Sequence, residues 1–141
     1  MNKKYKGYEY IAFHYGEESK GLGYWCGYVK IKKDHPYYEI IKNEEPKEIF
    51  GKQIHCVYDK LDIDCHGGLT FSEYIIKNKG DEMVVPFTNG SWIGWDYAHA
   101  GDFVDYGKRT GSINSIGEYH WTEEEVTAEC LNVIDQLIEI K

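Results

Sequence analysis

Side chains that could bind a nucleotide are concentrated between Met83 and Thr110. Arg109 is the single arginine of a chain with fifteen lysines, and a guanidinium group is a planar fork that binds phosphate or stacks on a ring. Aromatic, polar and ionisable side chains precede it. The combination predicts a site for a phosphate or a stacked base, although an ordinary surface arginine in a turn would look the same. The residues of interest are Phe87, Asn89, Trp92, Trp95, Asp96, Tyr97, His99, Asp102, Arg109 and Thr110.

A nucleotide pocket needs a ring for the base, a polar group for its edge, and cations, hydroxyls or backbone N–H groups for the phosphates. Alternation along a strand at 91–97 places Trp92 and Asp96 on one face, which is the expected site. Trp95 and Tyr97 share the other face, which is the expected core. Alternation alone does not decide which tryptophan meets the ligand. The predicted ligand-binding residues are Phe87, Asn89, Trp92, Asp96, Arg109 and Thr110.

Two groups of possible metal ligands suggest an enzymatic alternative. Zinc sites use four closed ligands, or three with an open position. Neither group has a zinc-finger spacing or the H-E-x-x-H pattern, and a core thiol with solvated aspartates explains the first group equally well. No metal and no other cofactor is therefore expected. The first group is His55, Cys56, Asp62, Asp64, Cys65 and His66, and the second is His99 and Asp102.

Nucleophilic catalysis has little support in the sequence. Cys65 and His66 are neighbours, and adjacent side chains of an extended chain point apart, so a partner such as His99 or His120 would have to approach in space. The chain has no G-x-S-x-G, P-loop or G-x-G-x-x-G motif. The protein is therefore expected not to be an enzyme. The alternative is a hydrolase of nucleotide or pyrophosphate bonds, with or without a metal, that uses His66, Asp96, His99 and Asp102.

Composition limits the size, partners and location of the protein. A chain of 141 residues is long enough for one domain, 1–141, with its own core. The net charge of -8 argues against long nucleic acid, whose affinity comes mainly from lysines and arginines. A small anion needs only a local cationic or N–H site. The chain shows no secretion signal, membrane span or C-x-x-C pair, so a cytoplasmic location with reduced thiols is expected.

Alternation of apolar and polar residues predicts several strands. Two of them, Tyr5–His14 and Gly23–Ile31, could pair as antiparallel neighbours across a polar, glycine-bearing loop. The other predicted strands are Tyr37–Ile41, Gln53–Tyr58, Glu82–Phe87 and Ser91–Tyr97. The last two are expected to form a hairpin around the turn at 88–90. A long loop is expected at 101–117.

A C-terminal helix is the strongest local prediction. Thr122 and Glu125 have the spacing of a capping box, and Trp121 and Val126 that of a hydrophobic staple. The apolar stripe is formed by Val126, Cys130, Ile134, Leu137 and Ile138, and is widened by Ala128, Leu131 and Val133. So broad a stripe could cover a sheet and also join two copies as a homodimer. Several strands followed by this helix predict a single α+β domain with a mostly antiparallel sheet and a long C-terminal helix.

Two segments of the chain resemble a known protein family. They read CHGGLTFSE from Cys65 to Glu73 and WIGWDYAHAGD from Trp92 to Asp102. Both are similar to the first Thoeris anti-defence family, which consists of phage and prophage sponges that sequester cyclic ADP-ribose signals. The resemblance implies a homodimer, in the cytoplasm of a bacterial host, that binds such a signal without cleaving it. The signal is thereby denied to the host Thoeris NADase effector.

The resemblance also implies roles for individual residues. Phe87 and Arg109 would lie around the adenine. Asn89, Asp96 and Thr110 would contact ribose or phosphate. The supporting residues would be His66, His99 and Asp102, of which the last two could hold the following loop together. Some relatives also capture cyclic oligonucleotides at a separate site, an activity that the sequence does not assign to this chain, and the preferred cyclic isomer is likewise left open.

Overall fold

A computed structural model describes residues 3–16, 23–44, 47–49, 52–54, 60–77, 84–97 and 121–140. The strands are β1 Lys3–Tyr5, β2 Tyr8–Tyr15, β3 Tyr24–Lys30, β4 Lys47–Ile49, β5 Lys52–Ile54, β6 Phe71–Ile75 and β7 Gly90–Asp96. The helices are α1 Pro36–Lys42 and α2 Glu123–Glu139. This arrangement confirms the predicted α+β class. No helix within the described ranges is long and apolar enough to cross a membrane.

Five of the strands form one antiparallel sheet in the order β1-β2-β3-β7-β6. The short strands β4 and β5 pair with each other in a separate two-stranded sheet. The predicted pairing of the first two long segments is confirmed, because β2 and β3 are antiparallel neighbours. In the centre of the sheet, β3 and β7 lie side by side, with Gly27 opposite Trp95 and Tyr28 opposite Gly94.

Apolar side chains cover both faces of this sheet. On one face, Tyr10, Val29 and Trp95 belong to the first core, which is completed by buried residues of α2. On the other face, Tyr28 and Trp92 belong to a second core. The predicted alternation along the strands is therefore correct. A sheet covered on both sides carries large apolar residues at successive positions, which explains why Trp92 and Ile93 are both fully buried.

Helix α2 begins as predicted. The Thr122 hydroxyl accepts a hydrogen bond from the Glu125 N–H at 3.3 Å, and the Glu125 carboxylate accepts one from the Thr122 N–H at 3.2 Å. The buried stripe consists of Val126, Cys130, Val133, Ile134 and Leu137. This stripe is narrower than predicted, because Ala128 is exposed and Ile138 is 42% exposed.

Residues 37–41 form part of helix α1, so the strand predicted there is wrong. Pro36 occupies the first turn, where its missing N–H costs nothing. His35 caps the helix: its Nδ1 accepts a hydrogen bond from the Tyr37 N–H at 3.0 Å. The other ring nitrogen, Nε2, donates to the Leu137 carbonyl at 2.8 Å. The buried residues Tyr38 and Ile41 are three apart, as on one helical face.

The hairpin predicted around residues 88–90 is also wrong. Residues 84–89 are not a strand, and β7 pairs instead with β3 and β6. A strand with a neighbour on each side has no edge left for a third. The segment is fixed by other bonds: the Trp92 Nε1–H donates to the Thr88 carbonyl at 2.7 Å, and the Asn89 Oδ1 accepts from the Lys77 N–H at 2.7 Å. Strand β6 was not predicted.

Candidate functional site

The two segments that carry the family resemblance are neighbours in the fold. Strand β6 begins within the first segment, most of β7 lies in the second, and Phe71 lies opposite Gly94. The Thr70 N–H donates to the Gly94 carbonyl at 2.9 Å, and its hydroxyl donates to the Asp96 Oδ2 at 3.0 Å. Residues more than twenty positions apart are thus joined at one end of the sheet, and this end is the candidate site.

Three strands supply the floor of this site. Phe13, Cys26 and Asp96 lie side by side across β2, β3 and β7. Tyr15 and Tyr24 form the next rank, with ring centroids 5.5 Å apart. Phe13, Tyr15, Tyr24, Phe71 and Asp96 are half-buried, whereas the neighbouring Cys26 is buried. We call these five half-buried residues, together with the exposed Thr70, the Asp96 patch.

Tyrosines were not among the predicted ligand residues. The hydroxyl oxygens of Tyr15 and Tyr28 lie 3.0 Å apart, which places a hydrogen-bonded pair beside the Asp96 patch. Burial raises the pKa of both phenols, so both remain neutral and can donate or accept hydrogen bonds. Alternation along β2 and β3 already places these tyrosines on one face. The sequence did not show that β3 pairs with β7, which places Asp96 next to Cys26 on the same face of the sheet as these tyrosines.

His66 packs between the sheet and helix α2. Its ring stacks on Tyr97, with centroids 4.6 Å apart and planes 7° from parallel, and it meets the Trp121 ring edge-on at 4.8 Å. The backbone N–H of His66 donates to the Glu129 carboxylate at 2.9 Å. The preceding Asp64 exchanges two more hydrogen bonds with Gln136 on the same helix. These contacts join the segment before β6 to Trp121 and α2, and the supporting role of His66 stays a prediction.

A glycine turn follows His66. Gly67 and Gly68 both have positive φ, 67° and 81°, which L side chains rarely adopt. The Gly68 N–H donates to the Cys65 carbonyl at 2.9 Å and closes the turn. A Cβ atom at Gly68 would meet nothing within 4 Å, so the glycine is needed for its backbone angle rather than for space. The turn connects residues 64–66, which are hydrogen bonded to α2, with strand β6.

The predicted aromatic ligand residues lie in the second core. Phe87 is buried; its ring is parallel to Phe71 at 5.6 Å and edge-on to Tyr28 at 5.0 Å. Trp92 is fully buried and contacts Phe87 with ring centroids 5.1 Å apart. Neither ring presents an open face, so ligand contact with Trp92 would require its neighbours to move. Among the described residues on this face, the rings of the Asp96 patch are only half-buried.

Asn89 immediately precedes β7, and Asp96 is its last residue. At about 3.3 Å per residue, the strand separates them by roughly 20 Å. A ligand of nucleotide size bound at Asp96 therefore does not reach Asn89, and the structure does not bring these two predicted residues together. Asn89 is exposed and belongs to the end of the sheet where Thr88 and Lys30 are hydrogen bonded. The other predicted residues, His99, Asp102, Arg109 and Thr110, lie outside the described part of the chain.

The described cysteines are poor nucleophiles. Burial, followed by the nearby Glu129 and Asp64 carboxylates, raises the pKa of the Cys65 thiol to about 12. Burial likewise raises the pKa values of Cys26 and Cys130 to about 12. A thiol attacks as the thiolate, which is scarce at neutral pH when the pKa is so high. The neighbouring His66 ring is stacked on Tyr97.

The predicted metal ligands divide between described and undescribed residues. Asp62, Asp64, Cys65 and His66 belong to the described ranges, whereas His55 and Cys56 lie outside them. Within those ranges, no group of three or more His, Cys, Asp or Glu side chains could hold a metal ion.

Comparisons of the chain with protein-family models, with curated proteins and with solved structures find no match.

Proposed function

We propose that this protein is a sponge that binds a cyclic ADP-ribose-type nucleotide and sequesters it without cleaving it. The observation that carries the proposal is the junction of the two family-like segments. Their strands β6 and β7 are paired, and Thr70 is hydrogen bonded to Asp96 across the junction. Two segments that are remote in sequence can build one ligand site only if the fold brings them together, as it does here.

The Asp96 patch has the groups that such a ligand needs. Its half-buried rings Tyr15, Tyr24 and Phe71 offer surface on which an adenine could stack. The Asp96 carboxylate accepts a hydroxyl hydrogen bond from Thr70, and ribose hydroxyls are donors of the same kind. The resemblance places Arg109 around the adenine, and the chemistry of its guanidinium also suits contacts to the phosphates. Apart from Thr70, the patch lies on strands, which position side chains more rigidly than loops do and reduce the entropy lost on binding.

The chemistry of the described residues favours binding over cleavage. Thiols with pKa values of about 12 are mostly protonated at neutral pH. The His66 imidazole, a candidate acid or base for the alternative hydrolase, is stacked on Tyr97 and meets the Trp121 ring edge-on. Asp96 is hydrogen bonded to Thr70 as a recognition group would be. These arrangements support a non-enzymatic role.

The biological setting of the proposal comes from the resemblance. The protein would be encoded by a phage or prophage and would act in the cytoplasm of the infected bacterium as a homodimer or a larger assembly. By holding the signal, it would prevent activation of the Thoeris NADase effector. The exposed Ile138 on α2 is one apolar position available for contact between copies.

The decisive experiment is capture followed by release. The purified protein is incubated with individual cyclic ADP-ribose isomers, washed by ultrafiltration, heated, and analysed by mass spectrometry. Intact nucleotide that appears only after heating supports a sponge and excludes the hydrolase. Degraded nucleotide identifies a hydrolase and makes His66, Asp96, His99 and Asp102 the catalytic candidates. If no isomer is retained or changed, the proposed function is wrong.

A further inference from the structure

A lysine-rich pocket lies at the end of the sheet opposite the Asp96 patch. Its volume is about 200 Å³. It is lined by Lys4, Gly7, Glu9, Lys30, Ile31, Lys32, Lys33, Tyr38 and Asn89. Four of these residues are lysines and one is an acid, although the whole chain has a net charge of -8. A cleft lined by one sign of charge concentrates ions of the opposite sign, so this pocket favours an anion.

Two of the ammonium groups are held in place. The Lys30 Nζ donates to the Thr88 Oγ1 at 2.9 Å, and that hydroxyl donates to the Glu9 carboxylate at 2.7 Å. The Lys32 Nζ donates to the Lys6 carbonyl at 3.2 Å and lies 4.6 Å from the centre of the Tyr8 ring. Each ammonium has three N–H donors, so one such bond does not exhaust it. Groups that are already ordered lose less entropy when a ligand binds.

The backbone and Asn89 also suit an anion. Gly7 has a φ of +82°, and a Cβ there would lie 2.7 Å from the Lys32 Nζ, so the absent side chain makes room for the ammonium group. The Oδ1 of Asn89 accepts a hydrogen bond from the Lys77 N–H at 2.7 Å. This bond fixes the orientation of the amide and leaves its NH₂ as the group that can serve a ligand. Ammonium and amide donors both bind phosphate oxygens.

The size of the pocket limits the ligand. Pockets for drug-sized molecules measure roughly 300–1,000 Å³, and a volume of about 200 Å³ is below that range. Several point-like ammonium groups around such a space match a compact anion with several oxygens. We propose that the pocket binds a pyrophosphate group, at a site separate from the Asp96 patch. The group could belong to free pyrophosphate or to a nucleotide whose remaining parts lie outside the pocket.

Titration calorimetry with inorganic pyrophosphate tests this proposal. The pocket variant Lys30→Gln/Lys33→Gln is compared with a control, Lys42→Gln/Lys60→Gln, which loses the same two charges outside the pocket. We expect wild type and control to bind equally and the pocket variant to bind at least about tenfold more weakly, because hydrogen bonds to charged groups are lost. The single variant Lys33→Gln, at an exposed position, should weaken binding without disturbing the Lys30–Thr88 bond.

Three outcomes would overturn the proposal: no heat of binding by wild type, equal weakening in pocket and control variants, or loss of pyrophosphate binding in Arg109→Ala. The last result would place the anion at the nucleotide site. Competition with linear ADP-ribose identifies the source of the group, since displacement of pyrophosphate indicates a nucleotide and persistence indicates the free anion. The proposed function is judged separately by retention of cyclic ADP-ribose, so either hypothesis can fail while the other stands.

Discussion

The indole ring of Trp95 lies over Gly27 on the neighbouring strand, so closely that a Cβ there would come within 2.3 Å of the ring. On the opposite face of the sheet, the Tyr28 ring lies over Gly94 in the same way, with a corresponding distance of 2.5 Å. On each face of the sheet, one of these two strands thus places an aromatic ring over a glycine of the other. Each glycine provides the space that a large ring of the other strand occupies. Trp95 belongs to the first core and Tyr28 to the second, so both cores pack against the same central pair of strands.

Substitution of Gly27 by Ala should destabilise the fold. The added methyl group overlaps a fully buried indole that has no space to retreat, and overpacking of this kind costs about 1–3 kcal/mol. Urea denaturation followed by tryptophan fluorescence measures the change in the free energy of unfolding. The control Gly68→Ala adds the same group in open space and should cost less, about 1 kcal/mol, from its backbone angle. A Gly27→Ala protein as stable as wild type would contradict this packing argument.

His35 should matter for stability because it joins α1 to α2. Replacement by Ala removes the cap on the Tyr37 N–H and the bond to the Leu137 carbonyl. A cap and one hydrogen bond together contribute about 2 kcal/mol. His35→Asn retains a capping group but does not restore the bond to Leu137. We therefore expect thermal unfolding to rank wild type above Asn and Asn above Ala. Equal stability of Asn and Ala variants would show that the cap is not the important contact.

The Cys65 thiol should resist alkylation in the folded protein. Its pKa of about 12, against an ordinary 9.0, leaves about one thiolate in ten thousand at pH 8. Iodoacetamide labelling followed by mass spectrometry should therefore modify Cys65 slowly in native protein and rapidly in urea. Fast labelling of the native thiol would contradict the raised pKa.

The same shift in the pKa of Cys65 predicts how stability depends on pH. The folded state holds the thiol proton more tightly than the unfolded chain does, because the pKa rises from 9.0 to about 12 on folding. The associated stability is therefore fully present below pH 9 and is lost as the pH rises towards 12. Denaturation midpoints of wild type and Cys65→Ser, measured from pH 8 to pH 11, should converge as the pH increases. Parallel curves would argue against this linkage.

Arg109→Ala should abolish nucleotide retention and leave the fold intact. A bidentate guanidinium contact to phosphate consists of charged hydrogen bonds, whose loss weakens binding by about a hundredfold or more. Arg109→Lys keeps the charge but not the fork and should recover only a small part of the affinity. Lys108→Ala is the matched control for loss of one positive charge. Unchanged affinity in Arg109→Ala would remove this residue from the site.

The two ends of β7 should respond differently to mutation. Asp96→Asn removes the carboxylate that would bind ribose and should weaken capture of cyclic ADP-ribose by about tenfold. Asn89→Ala should leave that capture unchanged, since roughly 20 Å of strand separates the two positions, and should weaken pyrophosphate binding instead. Each variant thus serves as the control for the other. If both weaken the same ligand equally, the assignment of two separate sites fails.

Local signals in the sequence predicted local structure well. Alternation over β2 and β3 assigned the right residues to each face, and the Thr122–Glu125 spacing located the start of α2. Helix α1 was not predicted because residues 37–41 fit both a strand and one turn of helix. The hydrogen bond between His35 and Leu137 joins residues far apart in the chain, so a local pattern does not reveal it. The Trp92 face was expected to be open because alternation shows which residues share a face, not what covers it.

The candidate site was predictable only in part for the same reason. Asp96 was identified by its type and by the family resemblance, but its hydrogen-bond partner Thr70 belongs to a strand that the sequence did not reveal. Asn89 was predicted in the turn before the strand and Asp96 within the strand, and their closeness in sequence suggested one pocket, although an extended strand separates them by roughly 20 Å. Tyr15 and Tyr24 became candidates only when the strand order joined their strands to β7.

The pairing of β3 with β7 has a consequence for how the chain folds. Gly27 and Trp95 are partners at the centre of the sheet although about seventy residues separate them, and contacts between such distant residues slow folding. During synthesis, the β1–β2–β3 meander emerges first and exposes apolar side chains on both faces until β7 and α2 are made. A fragment that ends before β7 should therefore aggregate rather than fold, and the protein should acquire its structure in a late, cooperative step.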